Sequence, residues 1–121
     1  MQSVIVDTYA WMEYFDGNAA YKDLIERSNL KTPSLVLSEI SRALSRRKVS
    51  ASQTRTFIDF VFRRSVILPL EGEQAVTGGA LAESERIPLA DAIIYSYASE
   101  HEPLLTGDEH FRGKKHVLLV G

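Results

Sequence analysis

Five short β-type runs punctuate this chain, and their spacing leaves little freedom in how it can fold. They are Ser3–Val6, Leu30–Thr32, Val66–Leu70, Leu104–Thr106 and His116–Val120. Most are apolar without the in-and-out alternation of a half-wet sheet, which is the mark of strands buried on both faces. Strands of that kind occur in parallel sheets, where each strand returns to the same end of the sheet through a covering helix. The intervening segments have the required period. Trp11, Met12 and Phe15 share one face of a helix predicted over Thr8–Phe15, and Asp16-Gly17-Asn18 forms the turn into a second helix over Ala19–Ser28. Pro33 suits the first turn of a third helix running to Lys48, where its missing N–H has no partner to lose. Ser50 or Ser52 caps a fourth, with Phe57, Ile58, Val61 and Phe62 as its apolar stripe. Helices are also predicted over Gly72–Arg86 and Leu89–Glu100, the first carrying Gly78-Gly79 as a close helix contact or a kink. The expected fold class is α/β, a three-layer α/β/α sandwich around a small parallel sheet, with residues 1–121 forming one domain.

Composition narrows the chemistry. The chain has 121 residues, 45% of them hydrophobic, and a formal net charge of -2. It has no cysteine, which excludes a disulfide framework, cysteine-ligated zinc and thiol catalysis together. No apolar run approaches the ~18–20 residues of a membrane span, and none has the flanks of a signal peptide. A soluble, cytoplasmic domain with no membrane partner is the expectation. The charges are unevenly spread. Seven basic residues and one acid fall between Arg42 and Arg64, whereas nine acids and one base, Arg86, fall between Glu71 and Glu109. A basic stripe can grip phosphates; an acidic region does so only through metal ions.

An open α/β sheet holds its ligands beyond the carboxyl ends of its strands. Asp7 directly follows the first strand, and Asp108 stands two residues after the fourth. Asp91 interrupts the apolar run Leu89, Ala90, Ala92, Ile93, Ile94, Tyr95, and Glu39 borders the stripe of Val36, Ile40 and Ala43. Each has an ordinary alternative: Asp7 suits a helix cap, Glu39 a solvated helix position, Asp108 a loop turn. Asp91 is the exception, because an ionised carboxylate inside so apolar a helix costs several kcal/mol unless compensated. Four carboxylates at one sheet end either protonate, with raised pKa values, or are neutralised by divalent cations. His101, His110 and His116 lack ligand spacing on one helix face, so an all-oxygen set favours Mg²⁺ or Mn²⁺ over zinc. The chemistry such a set supports is metal-assisted hydrolysis of a phosphodiester.

The segments Val4-Ile5-Val6-Asp7-Thr8-Tyr9-Ala10-Trp11, Thr32-Pro33 with Glu39-Ile40, Ala90-Asp91-Ala92-Ile93-Ile94-Tyr95 and Leu104-Leu105-Thr106-Gly107-Asp108-Glu109-His110-Phe111 resemble those of PIN-domain ribonucleases. At this length the chain is most similar to VapC-type toxins of toxin–antitoxin pairs. The resemblance implies Asp7, Glu39, Asp91 and Asp108 as the acidic metal site, and Mg²⁺- or Mn²⁺-dependent cleavage of single-stranded or looped RNA. It implies a cognate antitoxin partner and a homodimer. It also implies that Thr106 and Thr8 hydrogen-bond the metal-binding carboxylates or waters.

Asp7 and Asp91, at the most rigid positions, are the expected direct ligands, with Glu39 and Asp108 completing the set directly or through water. Arg42 and Arg46 lie three and seven residues beyond Glu39 and, with Arg47, suit RNA-backbone contacts; salt bridges on a solvated face are the alternative. His110 suits proton donation to the leaving group, or a plain surface position. Tyr9, Trp11, Tyr14 and Phe15 suit core or interface packing, with base stacking as the alternative. Two other functions stand as alternatives: a PIN-type nuclease of RNA processing, which shares the metal site, and, less favoured, a non-enzymatic receiver-like signalling domain. The second needs an Asp after the third strand and a Lys after the last. The chain has Pro69-Leu70-Glu71 and Val120-Gly121 there.

Overall fold

The computed structural model describes residues 1–121. Its strands are β1 (Ser3–Val6), β2 (Asn29–Pro33), β3 (Ser65–Leu68), β4 (Leu104–Thr106) and β5 (Val117–Leu119). The helices are α1 (Thr8–Phe15), α2 (Ala19–Arg27), α3 (Ser34–Arg46), α4 (Ala51–Arg64), α5 (Gly72–Glu85) and α6 (Leu89–Tyr95), with one 3₁₀ turn at Glu109–Phe111. All pairings are parallel, and the sheet order is β3-β2-β1-β4-β5. Val4, Ile5 and Val6 of the central strand are fully buried, as are Leu104 and Leu105 beside them. Both sheet faces are therefore covered, and the expected α/β/α architecture is the one observed.

The order matters for function. From β1 the chain steps outward to β2 and β3, then crosses back to place β4 on the other side of β1. Crossovers of one hand leaving β1 and β4 in opposite directions open a crevice at their carboxyl ends. A receiver-like domain has order 2-1-3-4-5; the order here excludes that alternative.

Local chemistry explains most boundaries. Asp7 caps α1 by accepting from Ala10 N–H at 2.8 Å, Asn18 caps α2 at Ala20 N–H, and Ser50, not Ser52, caps α4 at Gln53 N–H. Trp11 is wholly buried and donates its indole N–H to Thr32 Oγ1 at 3.1 Å, which lies 2.7 Å from Ser65 Oγ. One polar chain thus ties α1, β2 and β3 together in the core.

Two expectations need correction. Pro33 does not open α3; it ends β2 with ψ 138° and precedes the first helical residue, Ser34. Its ring sets φ, but the strand register with Leu68 sets ψ. The helix predicted over Leu89–Glu100 stops at Tyr95. Ser96 Oγ turns back onto Ile93 O and accepts from Gln74, and Tyr97 and Ala98 N–H reach only three residues back. The apolar run continues as a tightened turn that delivers the chain to β4.

Gly78-Gly79 makes a contact, not a kink. A Cβ on Gly78 would lie 2.6 Å from Ile93 Cγ1 and 3.0 Å from Ile93 Cα, whereas Gly79 faces open space. Backbone-close packing against α5 fixes α6, and with it Asp91. No helix is long and apolar enough to cross a membrane.

Candidate active site

The crevice between β1 and β4 opens into a cavity of about 460 Å³ lined by Asp7, Glu39, Asp91 and Asp108, together with Thr8, Tyr9, Arg42, Arg46 and Arg47. The four carboxylates come from four elements: the β1 end, α3, α6 and the loop after β4. All four acids and all three arginines singled out in the sequence meet there.

Asp7 is 5% exposed. Burial is the chief cause lifting its pKa from 3.8 to about 7. The Thr106 hydroxyl and Ala10 N–H counter the rise, while Asp108 and Asp91 add to it. Asp91 is also raised, by burial first and then by the charges of Asp108 and Glu39, with His110 opposing. Neither a lysine nor an arginine comes within ion-pair distance of any of the four acids.

Neighbouring hydroxyls hold the acids in place. Thr8 Oγ1 donates to Glu39 Oε1 at 2.5 Å, and Thr106 Oγ1 accepts from Asp108 N–H at 3.0 Å. Gly107 lies between Thr106 and Asp108 for a steric reason: a Cβ there would collide with the Tyr21 hydroxyl and the Tyr9 ring. Thr106 and Thr8 therefore touch the carboxylates or their backbone directly.

The acids are not equivalent. Ligand atoms of Asp91, Asp108 and His110 lie within 4.8 Å of one another, whereas Asp7 and Glu39 line the cavity outside that trio. Asp7 spends one oxygen on the α1 cap and Glu39 one on Thr8. The sequence marks His110 as a proton donor or a surface position and not as a ligand, because the three histidines share no helix face. Its imidazole arrives instead through the turn that Asp108 itself closes by accepting from His110 N–H at 2.9 Å. An Asp followed two residues later by His, just past a strand, is the signal that could have found it.

The basic run divides. Arg42 and Arg46 line the cavity with no ion-pair partner, while Arg47 is held by Asp16 at 2.9 Å. Arg55 pairs with Asp59, and Arg64 donates to Ile25 O at 2.8 Å. The salt-bridge alternative thus holds for Arg47 but not for Arg42 or Arg46. The aromatic set divides too: Trp11 is core, Tyr14 and Phe15 line a separate cleft with Phe57 and Phe60, and Tyr9, 44% exposed, sits at the rim of the acidic cavity.

As a donor set, four crowded carboxylates with no lysine or arginine in contact and no thiolate fit a hard divalent cation. Asp91 and Asp108 offer carboxylate oxygens within 4.8 Å of each other, and Glu39 and Asp7 line the same cavity.

The same architecture recurs among solved structures. A chain of a toxin–antitoxin complex from Klebsiella pneumoniae matches with TM-score 0.77 and 22% identity over 96% of each chain. A chain of VapBC2 from Rickettsia felis, bound to a DNA fragment from its promoter, matches with TM-score 0.73 and 19% identity over 98% of each. A chain of VapBC-5 from Mycobacterium tuberculosis, of the VapBC family of toxin–antitoxin systems, matches with TM-score 0.64 and 22% identity, covering 99% of this chain and 98% of that one. At these identities the likeness is one of fold. No curated protein matches by sequence. The family model for the PIN domain matches residues 4–116, nearly from the first strand to the last. On that match, and with the acidic crevice at the β1–β4 switch, this chain belongs to the PIN-domain family.

Proposed function

We propose that the chain is a divalent-metal-dependent endoribonuclease and the toxin of a toxin–antitoxin pair. The observation that carries this reading is the convergence of Asp7, Glu39, Asp91 and Asp108 from four elements on one cavity that Arg42 and Arg46 also line. An acidic wall beside unpaired arginines is the electrostatic complement of a phosphodiester only when a cation lies against the acids.

A Mg²⁺ or Mn²⁺ ion held by these carboxylates supplies the charge and water acidification that phosphodiester hydrolysis needs. The chain's own residues do the rest. Asp7, clamped by Ala10 N–H, and Glu39, clamped by Thr8, keep their free oxygens available to the cavity. Arg42 and Arg46 bind the scissile or neighbouring phosphate and orient it toward the acids. Arg47 lines the same cavity but is held by Asp16. Thr106 restrains the loop that carries Asp108.

Family membership supports a nuclease, and fold likeness to chains of toxin–antitoxin complexes supports the toxin role and a cognate antitoxin. The same reading has two copies of the chain pairing, for which Val76 and Leu89 offer exposed apolar surface.

Purified chain should cut single-stranded RNA with Mg²⁺ or Mn²⁺, stop in EDTA and resume with excess Mn²⁺, and Asp91→Asn should be inactive. Induced expression should arrest growth with the wild type and not with Asp91→Asn. An Asp91→Asn protein that cleaves at the wild-type rate would falsify the reading. Cleavage without growth arrest would leave a nuclease of RNA processing in place of a toxin.

A further inference from the structure

We infer that His110 is a nitrogen ligand of the same metal centre, and that its imidazole gives the site a preference for Mn²⁺ over Mg²⁺. The inference rests on the hydrolase reading above, because it concerns the cation that reading requires.

The geometry begins with the turn. Asp108 Oδ1 accepts from His110 N–H at 2.9 Å, and the next residue, Phe111, is buried to 1% exposure. The backbone of His110 is thus pinned on both sides, although its side chain is 63% exposed. From that anchor Nδ1 lies 3.4 Å from Asp108 Oδ1 and 3.8 Å from Asp91 Oδ2. These are two carboxylates from different elements, and all three ligand atoms lie within 4.8 Å of one another.

Both separations lie within ion-pair range but beyond the roughly 2.7–3.2 Å of a close N–H···O hydrogen bond, so the ring is near both acids and closed on neither. A nitrogen beside two carboxylates from different elements is in position to join an ion that both would hold. Donors about 2.1 Å from an octahedral ion stand about 3.0 Å apart when adjacent and about 4.2 Å apart when opposite. The separations of Nδ1 from both acids fall inside that interval.

The donor type then decides selectivity. Mg²⁺ takes oxygen ligands and keeps its waters, whereas an imidazole nitrogen suits transition ions, and carboxylates around that nitrogen favour Mn²⁺, the most oxygen-preferring of the series. Two carboxylates and one imidazole at close range therefore shift the balance from Mg²⁺ to Mn²⁺, while Glu39 and Asp7 keep the remainder oxygen-rich.

The test is spectroscopic and needs no RNA. Mn²⁺ bound to the intact chain is counted by electron paramagnetic resonance, and spin-echo envelope modulation then reads directly coordinated ¹⁴N. The expected result is imidazole modulation in the wild type that disappears in His110→Ala and His110→Gln. Mn²⁺ affinity should fall at least about tenfold in both variants, while Mg²⁺ affinity, measured by displacement of Mn²⁺, changes by less than about threefold. Circular dichroism verifies that the variants fold. Bound Mn²⁺ with no ¹⁴N modulation, or modulation that survives both substitutions, overturns the role of His110 and leaves the carboxylate site standing. Absence of any stoichiometric Mn²⁺ overturns both.

Discussion

Replacing Asp7 by asparagine should make the metal-free chain more stable, and more so as pH rises. Asp7 is buried at the end of β1 with its pKa lifted from 3.8 to about 7. A carboxyl whose folded pKa lies above its unfolded value binds its proton more tightly when folded. Its contribution is therefore neutral below about pH 3.8, turns unfavourable as pH rises, and reaches its full cost above about 7. At about 1.4 kcal/mol per tenfold change in proton affinity, that cost is about 4 kcal/mol. Asparagine carries no charge, and its side-chain oxygen still accepts Ala10 N–H, because Asn and Asp are equivalent helix caps. Allowing for relaxation around an ionised Asp7, the variant should gain about 2–4 kcal/mol at pH 8 in chelator, or roughly 10 °C in Tm for a chain of this size. Asp91, whose pKa is raised for the same chief reason, is present in both proteins and cancels to first order. Melting both proteins in EDTA from pH 4 to pH 8 provides the measurement. Saturating Mn²⁺ should reverse the order, because only the wild type gains the full binding free energy. Equal melting at pH 8, or a gap that does not shrink toward pH 4, refutes the account of Asp7 as a carboxylate held charged against its surroundings.

Two further outcomes follow from packing and charge. Neutralising Arg42 and Arg46 to glutamine should weaken single-stranded RNA binding and lower the slope of log affinity against log salt by about 1.4, roughly 0.7 for each phosphate no longer neutralised. An unchanged slope in a binding titration returns both to plain surface. Gly78→Ala should destabilise the chain by about 1–3 kcal/mol, since its methyl meets Ile93 side chain and backbone. Gly79→Ala should be neutral or stabilising by up to about 1 kcal/mol, and identical urea midpoints for the two would rule out the close α5–α6 approach.

The strands and most helices are legible in the sequence because their signals are local. β1, β4 and the α1, α2 and α4 caps depend on neighbours within four residues. The end of α6 is not legible, because Gln74 on a different helix holds Ser96 in the hydrogen bond that stops it. Pro33 reads as helical for a similar reason: its ψ is set by pairing with Leu68 on β3, a strand distant in sequence. At the candidate site, the four acids stand out because each follows a strand end or borders or breaks an apolar stripe. The partition of the basic run does not, since composition cannot distinguish Arg47, which meets Asp16 across 31 residues of chain, from Arg42 and Arg46, which meet no acid.

Sequence by itself determined the alternation of strands and helices, the parallel sheet, and the identity of the acids that a buried crevice would need to neutralise. Those follow from periodicity and from the cost of burying charge, and both act along the chain. Only the tertiary structure decided that β4 lies beside β1, so that Asp108 comes close to Asp91 with His110 near both. Strand order is a long-range choice made by packing, with Gly78 letting α6 close on α5, and no short stretch of residues encodes a distance between elements that meet only in the fold.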